Sequence, residues 1–133
     1  MADLKQKDLV LILARELVSQ IMSPVFLIDA DGTLIYFNEH AQMILGQSFE
    51  EVGELPAADW GRRWEPRDLD GREVPLKALP LSVTLLERKP AHGPLRIKGS
   101  DGVEHEIEVT SFPLLSKQHD FVGAVAIFWE RAG

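Results

Sequence analysis

The sequence predicts an α+β domain with one sheet of five antiparallel strands, helices grouped in the middle of the chain, and an extra helix at the N-terminus. Three observations lead to this prediction. Residues 3–22 contain neither glycine nor proline, as is typical of a helix. Segments rich in β-branched and aromatic residues lie before and after the middle of the chain. The middle itself, residues 48–80, is interrupted by prolines and glycines, and this order of elements is typical of α+β domains.

Length and composition are those of one folded domain. The chain has 133 residues, of which 45% are apolar and 26% charged, so a core can form and a mainly disordered chain is excluded. The net charge of −7 argues against nucleic acid and anionic membrane as partners, because both attract basic surfaces. The chain has no cysteine, which excludes disulfides, thiolate metal sites and cysteine nucleophiles. We expect a cytoplasmic protein.

The N-terminal helix is predicted to carry more apolar surface than one contact needs. The run Leu9–Ala14 is apolar all the way round the helix but too short to span a bilayer. One side can pack on the domain's own sheet and the other on a second copy of the protein, so we predict a homodimer. An ordinary core helix of a monomer is the alternative. The predicted interface consists of Val10, Leu13, Leu17 and Ile21. The chain thus divides into a flanking helix, residues 1–22, and a domain, residues 23–133.

Four further segments are assigned from local patterns. Residues 25–28 and 33–37 are rich in β-branched and aromatic side chains, and the Asp-Gly pair between them predicts a hairpin. Residues 38–46 begin with asparagine and end with glycine, which suits the two caps of a short helix. Residues 78–88 have a helical period. Residues 121–129 are apolar on both faces, which predicts a central strand.

The alternation of charged and apolar residues predicts the register of a second hairpin. It is present in residues 95–98 and again in residues 104–110, so one face of this hairpin should be buried and the other wet. A three-residue loop over residues 100–102 places charged residues opposite charged residues and apolar residues opposite apolar ones. It sets Ile97 opposite His105 on the dry face. His105 is therefore predicted to face inward.

The residues that fill these elements resemble the PAS family of sensor and interaction domains. The matching segments are SPVFLIDADG before YFN, DGREVP before LPL, the turn GSDG, and SFPL before VGAV. Each motif is weak alone, but their order and spacing extend from Ser23 to Glu130. The resemblance implies a curved sheet around the middle helices, with an interior that holds haem, flavin or a small organic molecule in some members and packed core in others. The N-terminal helix resembles the flanking helix through which many such domains dimerise.

The sequence also departs from the family. Many members close the last strand with an Asp-x-Thr signature that couples to a following helix, whereas this chain has Glu130-Arg131-Ala132 there. We therefore expect either a stand-alone protein that signals by assembly or a piece of a longer chain. A covalent flavin adduct is not possible without cysteine, and haem is not expected because residues 78–88 contain no histidine. The cofactor is left unknown.

The predicted ligand site is the apolar interior between sheet and helices, which favours an apolar ligand over a charged one. Its predicted residues are Ile44, Trp60, Trp64, Leu81, Leu85, Ile97, His105, Ile107, Val109, Val125, Ile127 and Trp129. The imidazole of His105 can hydrogen-bond a ligand there, or be satisfied by the backbone. The tryptophans can line a cavity or pack as ordinary core.

No catalytic or metal-binding spacing is found, and Glu104, Glu106 and Glu108 alternate with apolar residues as a solvated face does. The sequence therefore predicts a non-catalytic PAS sensor domain that binds a small apolar ligand as a homodimer. A ligand-free domain for dimerisation, or for docking a signalling protein, is the alternative. A small enzyme in an open α+β cone is a third possibility, for which only His105 is a candidate.

Overall fold

The computed structural model describes residues 2–131, and the side chains of residues 9–131. The strands are β1 (Val25–Asp29), β2 (Leu34–Phe37), β3 (Ala91–Lys98), β4 (Glu104–Leu115) and β5 (Phe121–Glu130). The helices are α1 (Ala2–Gln20), α2 (Glu39–Leu45), α3 (Phe49–Val52), α4 (Ala57–Arg63) and α5 (Pro80–Glu87), with a 3₁₀ turn at Leu76–Ala78. The strands pair antiparallel in the order β2-β1-β5-β4-β3. The predicted α+β class is confirmed, and β5 is the central strand that its two apolar faces predict.

The helix boundaries follow from the residues at their ends. Asn38 caps α2 by accepting a hydrogen bond from the Ala41 N–H (3.0 Å), and Gly46 ends it with a φ of 78°. Pro80 occupies the first turn of α5, where its missing N–H has no helical partner to lose. Helix α5 begins two residues later than the helical period predicts because residues 76–78 form the 3₁₀ turn.

The register predicted for the second hairpin is confirmed. Ile97 pairs with His105, and Arg96 pairs with Glu106. The turn closes with the Gly99 N–H donating to the Val103 carbonyl (2.9 Å), and Gly102 has a φ of 84°, which glycine tolerates best. The alternation of charge and burial was therefore sufficient to place residues 95–98 and 104–110 on their correct faces.

The two faces of the sheet are covered by different parts of the chain. The inner face, which α2, α4 and α5 cover, carries the main core, with Ile107 and Phe128 among its members. The outer face is covered in part by α1, where Val18 packs with Val25, Leu27 and Val125 in a second, smaller core. The guanidinium of Arg15 lies 4.6 Å from the centre of the Tyr36 ring, so α1 is also held to β2.

Asn38 joins these two layers. Its amide nitrogen donates to the carbonyls of Val18 (3.1 Å) and Ser23 (2.8 Å), at the end of α1 and in the segment that follows. Its amide oxygen accepts from the N–H groups of Val25 (3.1 Å) and Ala41, in β1 and α2. The side chain is buried, so these bonds are made away from water.

Candidate functional site

A cavity of about 90 Å³ lies between the inner face of the sheet and helices α4 and α5. Its walls are apolar: the side chains are aliphatic, aromatic or proline, and none is charged. The lining residues are Phe26, Leu45, Trp60, Trp64, Pro66, Leu79, Pro80, Leu81, Leu95, Ile97, Ile107, Val109, Ala126 and Phe128. A concave space with apolar walls is the usual form of a small-molecule site.

Two tryptophans, Trp60 within α4 and Trp64 directly after its last residue, form one wall. Trp60 and Trp64 are four residues apart and so lie on the same side of the helix, where both pack edge-on against Phe26 with ring centres 5.8 and 5.9 Å away. The indole N–H of Trp60 donates to the Gly32 carbonyl (2.7 Å). The indole Nε1 of Trp64 is buried and has no hydrogen-bond partner among the described residues.

Helix α5, which forms the opposite wall, is fixed to the sheet by a small polar network. The hydroxyls of Thr84 and Ser111 lie 2.7 Å apart, and the Ser111 hydroxyl donates to the Pro80 carbonyl (2.9 Å). All three residues are buried. Because these polar groups satisfy one another, the wall is rigid and offers no free hydrogen-bonding group to the cavity.

Six of the predicted site residues line the cavity. They are Trp60, Trp64, Leu81, Ile97, Ile107 and Val109. Ile44 is buried in the same core but does not line the cavity. Leu85 packs against that core from another side of α5 and lines a shallow apolar groove with Leu76 instead. Whether the six lining residues bind a ligand stays a prediction.

Placing Val125, Ile127 and Trp129 in the cavity was wrong. All three lie on the outer face: Val125 and Ile127 pack in the core beneath α1, and Trp129 is 42% exposed. The intervening Ala126 and Phe128 line the cavity instead. The physical reason is that β5 is buried on both faces, so its apolar run contains no alternation from which the inward set could be chosen.

Other lining residues were missed, and some were open to prediction. Leu95 lies opposite Ile107 in the hairpin register, so the register already placed it on the inner face. Phe26 belongs to β1, another strand that is buried on both faces and gives no alternation. Leu79 and Pro66 approach the cavity from irregular segments, whose path only tertiary packing determines.

His105 is on the inner face, as its register predicts, but at the margin of the sheet and outside the cavity lining. Its Nδ1 lies 2.5 Å from the Glu130 carboxylate, at the end of β5. Its Nε2 is buried and lacks a partner within the described part of the chain. The ring is thus held by a carboxylate rather than by the backbone, and a ligand-binding role for it stays a prediction.

Two of the three acidic residues of β4, Glu106 and Glu108, are paired on the outer face. Glu106 accepts from Arg96 (2.9 Å), and Glu108 accepts from Arg131 (2.9 Å). These groups are partly exposed, so each pair contributes little to stability. Within residues 9–131, no group of three or more potential metal ligands is brought together.

A larger cleft of about 620 Å³ lies on the surface beside α4 and the segment that follows it. Its rim carries Arg62 and Arg67 together with Glu65 and Glu73, so the charges of the two signs balance. The mixed charge selects neither an anion nor a cation, and the cleft is not assigned as a site.

The predicted dimer residues divide between two surfaces. Leu13 and Leu17 point away from the domain and are 58% and 63% exposed, and Val10 is half-buried. Ile21 packs against the outer face of the sheet within its own chain. Leu9 and Ile12, which the prediction omitted, are also exposed. The homodimer itself stays a prediction.

Comparison with known proteins identifies the fold. No family model and no curated protein matches the chain. Solved structures do match. The PAS domain of the fruit-fly ELK potassium channel matches with a TM-score of 0.70 at 10% identity, over 92% of this chain and 98% of that one. The PAS domain of BvgS from Bordetella pertussis matches with a TM-score of 0.65 at 15% identity, over 92% of this chain and 87% of that one. A PAS domain from a two-component sensor histidine kinase matches with a TM-score of 0.59 at 15% identity, over 95% of this chain and all of that one.

The chain therefore has the fold of a PAS domain, and the resemblance predicted from its motifs is confirmed at the level of the fold. Among the described residues, no helix is both long enough and apolar enough to cross a membrane.

Proposed function

We propose that this chain is a sensory signalling domain that holds a small, predominantly apolar molecule between its sheet and helices α4 and α5, and that it works as a homodimer through α1. The observation that carries the ligand proposal is the apolar cavity of about 90 Å³. Among its structural neighbours is a domain of a sensor histidine kinase, which supports a signalling role.

The size of the cavity restricts what it can hold. An apolar protein cavity of about 150 Å³ admits benzene, and this cavity of about 90 Å³ is smaller. Haem is a macrocycle of four linked pyrrole rings and flavin has three fused rings, so both are far larger than benzene and exceed a cavity of about 90 Å³. The proposed ligand is therefore a small organic molecule, and neither haem nor flavin is assigned.

The homodimer proposal rests on the apolar side chains of α1 that the domain does not cover. Leu9, Ile12, Leu13 and Leu17 are each more than half exposed. Since they lie within three turns of one helix, they form a continuous apolar strip, which a second copy could bury by an isologous contact. The side of α1 that carries Ala14 and Val18 packs on the sheet, so the exposed strip is surplus to the fold.

The test is native mass spectrometry of freshly purified protein, compared with the mass of the denatured chain. A dimer that carries extra mass, lost on denaturation, would support both parts of the proposal. A dimer at its bare mass would favour the second candidate, a ligand-free dimerisation or docking domain, which the small size of the cavity also suits. A bare monomer would contradict the dimer.

No catalytic function is proposed. None of the side chains that line the cavity is titratable, so the cavity has no group for acid–base or nucleophilic chemistry. His105, the candidate for an enzyme, lies outside this lining and is engaged by Glu130. The cytoplasmic location stays a prediction from the sequence.

A further inference from the structure

The cavity between the sheet and helices α4 and α5 offers a ligand no polar side-chain atom. Among its lining residues only Trp60 and Trp64 carry such an atom. The N–H of Trp60 is already bonded to the Gly32 carbonyl (2.7 Å), and the indole nitrogen of Trp64 has almost no accessible surface, so a ligand cannot reach it. A molecule in the cavity therefore meets only the carbon atoms of the side chains.

Two hydroxyl groups on the same elements are also kept from the cavity. Thr84 lies three residues after Leu81 on α5, and Ser111 lies two residues after Val109 on β4, so each shares a face with a lining residue. The two hydroxyls are 2.7 Å apart, and that of Ser111 donates to the Pro80 carbonyl (2.9 Å). Both residues are buried, and neither lines the cavity. These polar groups thus bond to one another and leave the cavity walls apolar.

Walls of this kind favour a ligand that forms no hydrogen bonds. A buried water is usually held by two to four polar partners, and an engineered apolar cavity of about 150 Å³ stays dry. A ligand that enters such a space takes its own polar groups out of water, and each group that finds no partner there weakens binding. The walls of this cavity supply no side-chain partner. The cavity therefore selects against hydrogen-bonding molecules, even those of suitable size.

We infer that the ligand is a short hydrocarbon, recognised by its shape and by its lack of a hydrogen-bonding group. This inference rests on the proposed function, because it specifies the chemical class that the ligand site selects. Scaled from the cavity of about 150 Å³ that admits benzene, a cavity of about 90 Å³ admits about four carbon atoms. The class thus comprises alkanes and alkenes of up to about four carbon atoms.

The test compares 2-methylpropene with acetone, which has the same shape but carries an oxygen atom in place of the terminal carbon. Each is titrated into protein whose isoleucine, leucine and valine methyl groups carry ¹³C, and the methyl signals are followed by NMR. We expect 2-methylpropene to shift the signals of Ile97, Ile107 and Val109, which line the cavity. The signals of Val125 and Ile127, on the outer face, should stay unchanged. Acetone should bind at least about tenfold more weakly, which corresponds to about 1.4 kcal/mol.

Two variants test whether the polarity of the wall sets this ratio of affinities. Val109→Thr keeps the shape of the side chain and adds a hydroxyl that can donate to acetone, so the ratio should fall at least about threefold. Val125→Thr is the matched control, because Val125 is similarly buried but belongs to the core beneath α1, and the ratio should stay unchanged. Should Val109→Thr fail to fold, the ratio measured in the unmodified protein decides the question alone.

The outcomes separate this inference from the proposed function. Equal affinities for the two probes, or tighter binding of acetone, would overturn the hydrocarbon class and leave ligand binding in the cavity intact. A ratio that Val109→Thr leaves unchanged would show that the polarity of the wall does not set the preference, and would also overturn the inference. Failure of both probes to shift the cavity signals would overturn it too, while a molecule retained in native mass spectrometry would still support the proposed function.

Discussion

The two faces of the sheet are covered by helices to different extents. On the inner face, α2, α4 and α5 bury the apolar side chains of all five strands and enclose a cavity of about 90 Å³. On the outer face, α1 packs on β1, β2 and β5, with Leu114 of β4 at the margin of that core, while Phe112 of β4 stays partly exposed. The inner face is thus complete within one chain, whereas the outer face and α1 retain apolar surface for a partner. Ligand and partner would therefore act on opposite sides of the same strands.

Substitution of Asn38 is expected to have the largest effect, because its side chain hydrogen-bonds both to α1 on the outer face and to α2 on the inner face. Replacing Asn38 with alanine leaves the buried N–H of Val25 and the carbonyl of Ser23 without this side-chain partner, and it also uncaps α2. The Val18 carbonyl loses one bond but keeps the one from the Ile21 N–H. Each buried group left unsatisfied costs about 1–3 kcal/mol. We expect Asn38→Ala to lower the free energy of unfolding by about 3 kcal/mol or more, measured by urea denaturation.

The control is Ser48, which caps α3 by accepting a hydrogen bond from the Glu51 N–H (3.2 Å) in an exposed setting. Ser48→Ala should cost only about 1 kcal/mol, the usual value for the loss of a cap. If the two substitutions cost the same, Asn38 is merely a helix cap and does not link the layers.

A second comparison concerns two alanines on the inner face of β5. Ala126 lines the cavity, whereas Ala124 is fully buried outside it. Ala126→Val should fit its added methyl groups into free space, change the free energy of unfolding by less than about 1 kcal/mol, and reduce the extra mass that the freshly purified protein retains in native mass spectrometry. Ala124→Val has no such space and should cost about 1–3 kcal/mol, as overpacking of a filled core does.

Urea denaturation gives the two stabilities, and native mass spectrometry gives the amount of ligand that each variant retains. A larger stability loss for Ala126→Val than for Ala124→Val would mean that the cavity is not available to a side chain of this size. Unchanged ligand retention in Ala126→Val would place the bound molecule elsewhere.

The sequence predicted the fold well because two of its signals are local. The Asp-Gly turns and the alternation of Glu104, Glu106 and Glu108 with apolar residues determine a hairpin without knowledge of the rest of the chain. The face of Val125 could not be predicted in this way, because β5 has apolar neighbours on both sides. Its assignment depends on which of the two layers each residue meets, which is a tertiary property.

The candidate site was less predictable for a related reason. Trp60 and Trp64 are alike in sequence terms, and only the position of the Gly32 carbonyl makes one satisfied and the other not. The cavity exists because the side chains around it, including small ones such as Ala126, do not fill the available space. A sequence pattern of apolar and polar residues does not show where such space remains.

The smallest expected effect concerns the outer surface of α1. Leu17 is 63% exposed, so Leu17→Glu should leave the free energy of unfolding of the monomer within about 0.5 kcal/mol of its original value. If α1 pairs with a second copy, the same change buries a charge at the contact and should raise the dimer dissociation constant about tenfold or more, measured by sedimentation.

Gln20→Glu is the matched control, because it places the same carboxylate on an exposed position of the same helix without removing apolar surface. It should leave the dissociation constant within about twofold. Equal weakening by the two variants would indicate that added negative charge, and not loss of the apolar strip, drives the chains apart. Dimerisation that neither variant affects would assign the contact to another surface, of which the partly exposed Phe112 is the next candidate. Phe112 lies opposite Val125 and so belongs to the same outer face, which means that the partner would still bind on the side of the sheet away from the cavity.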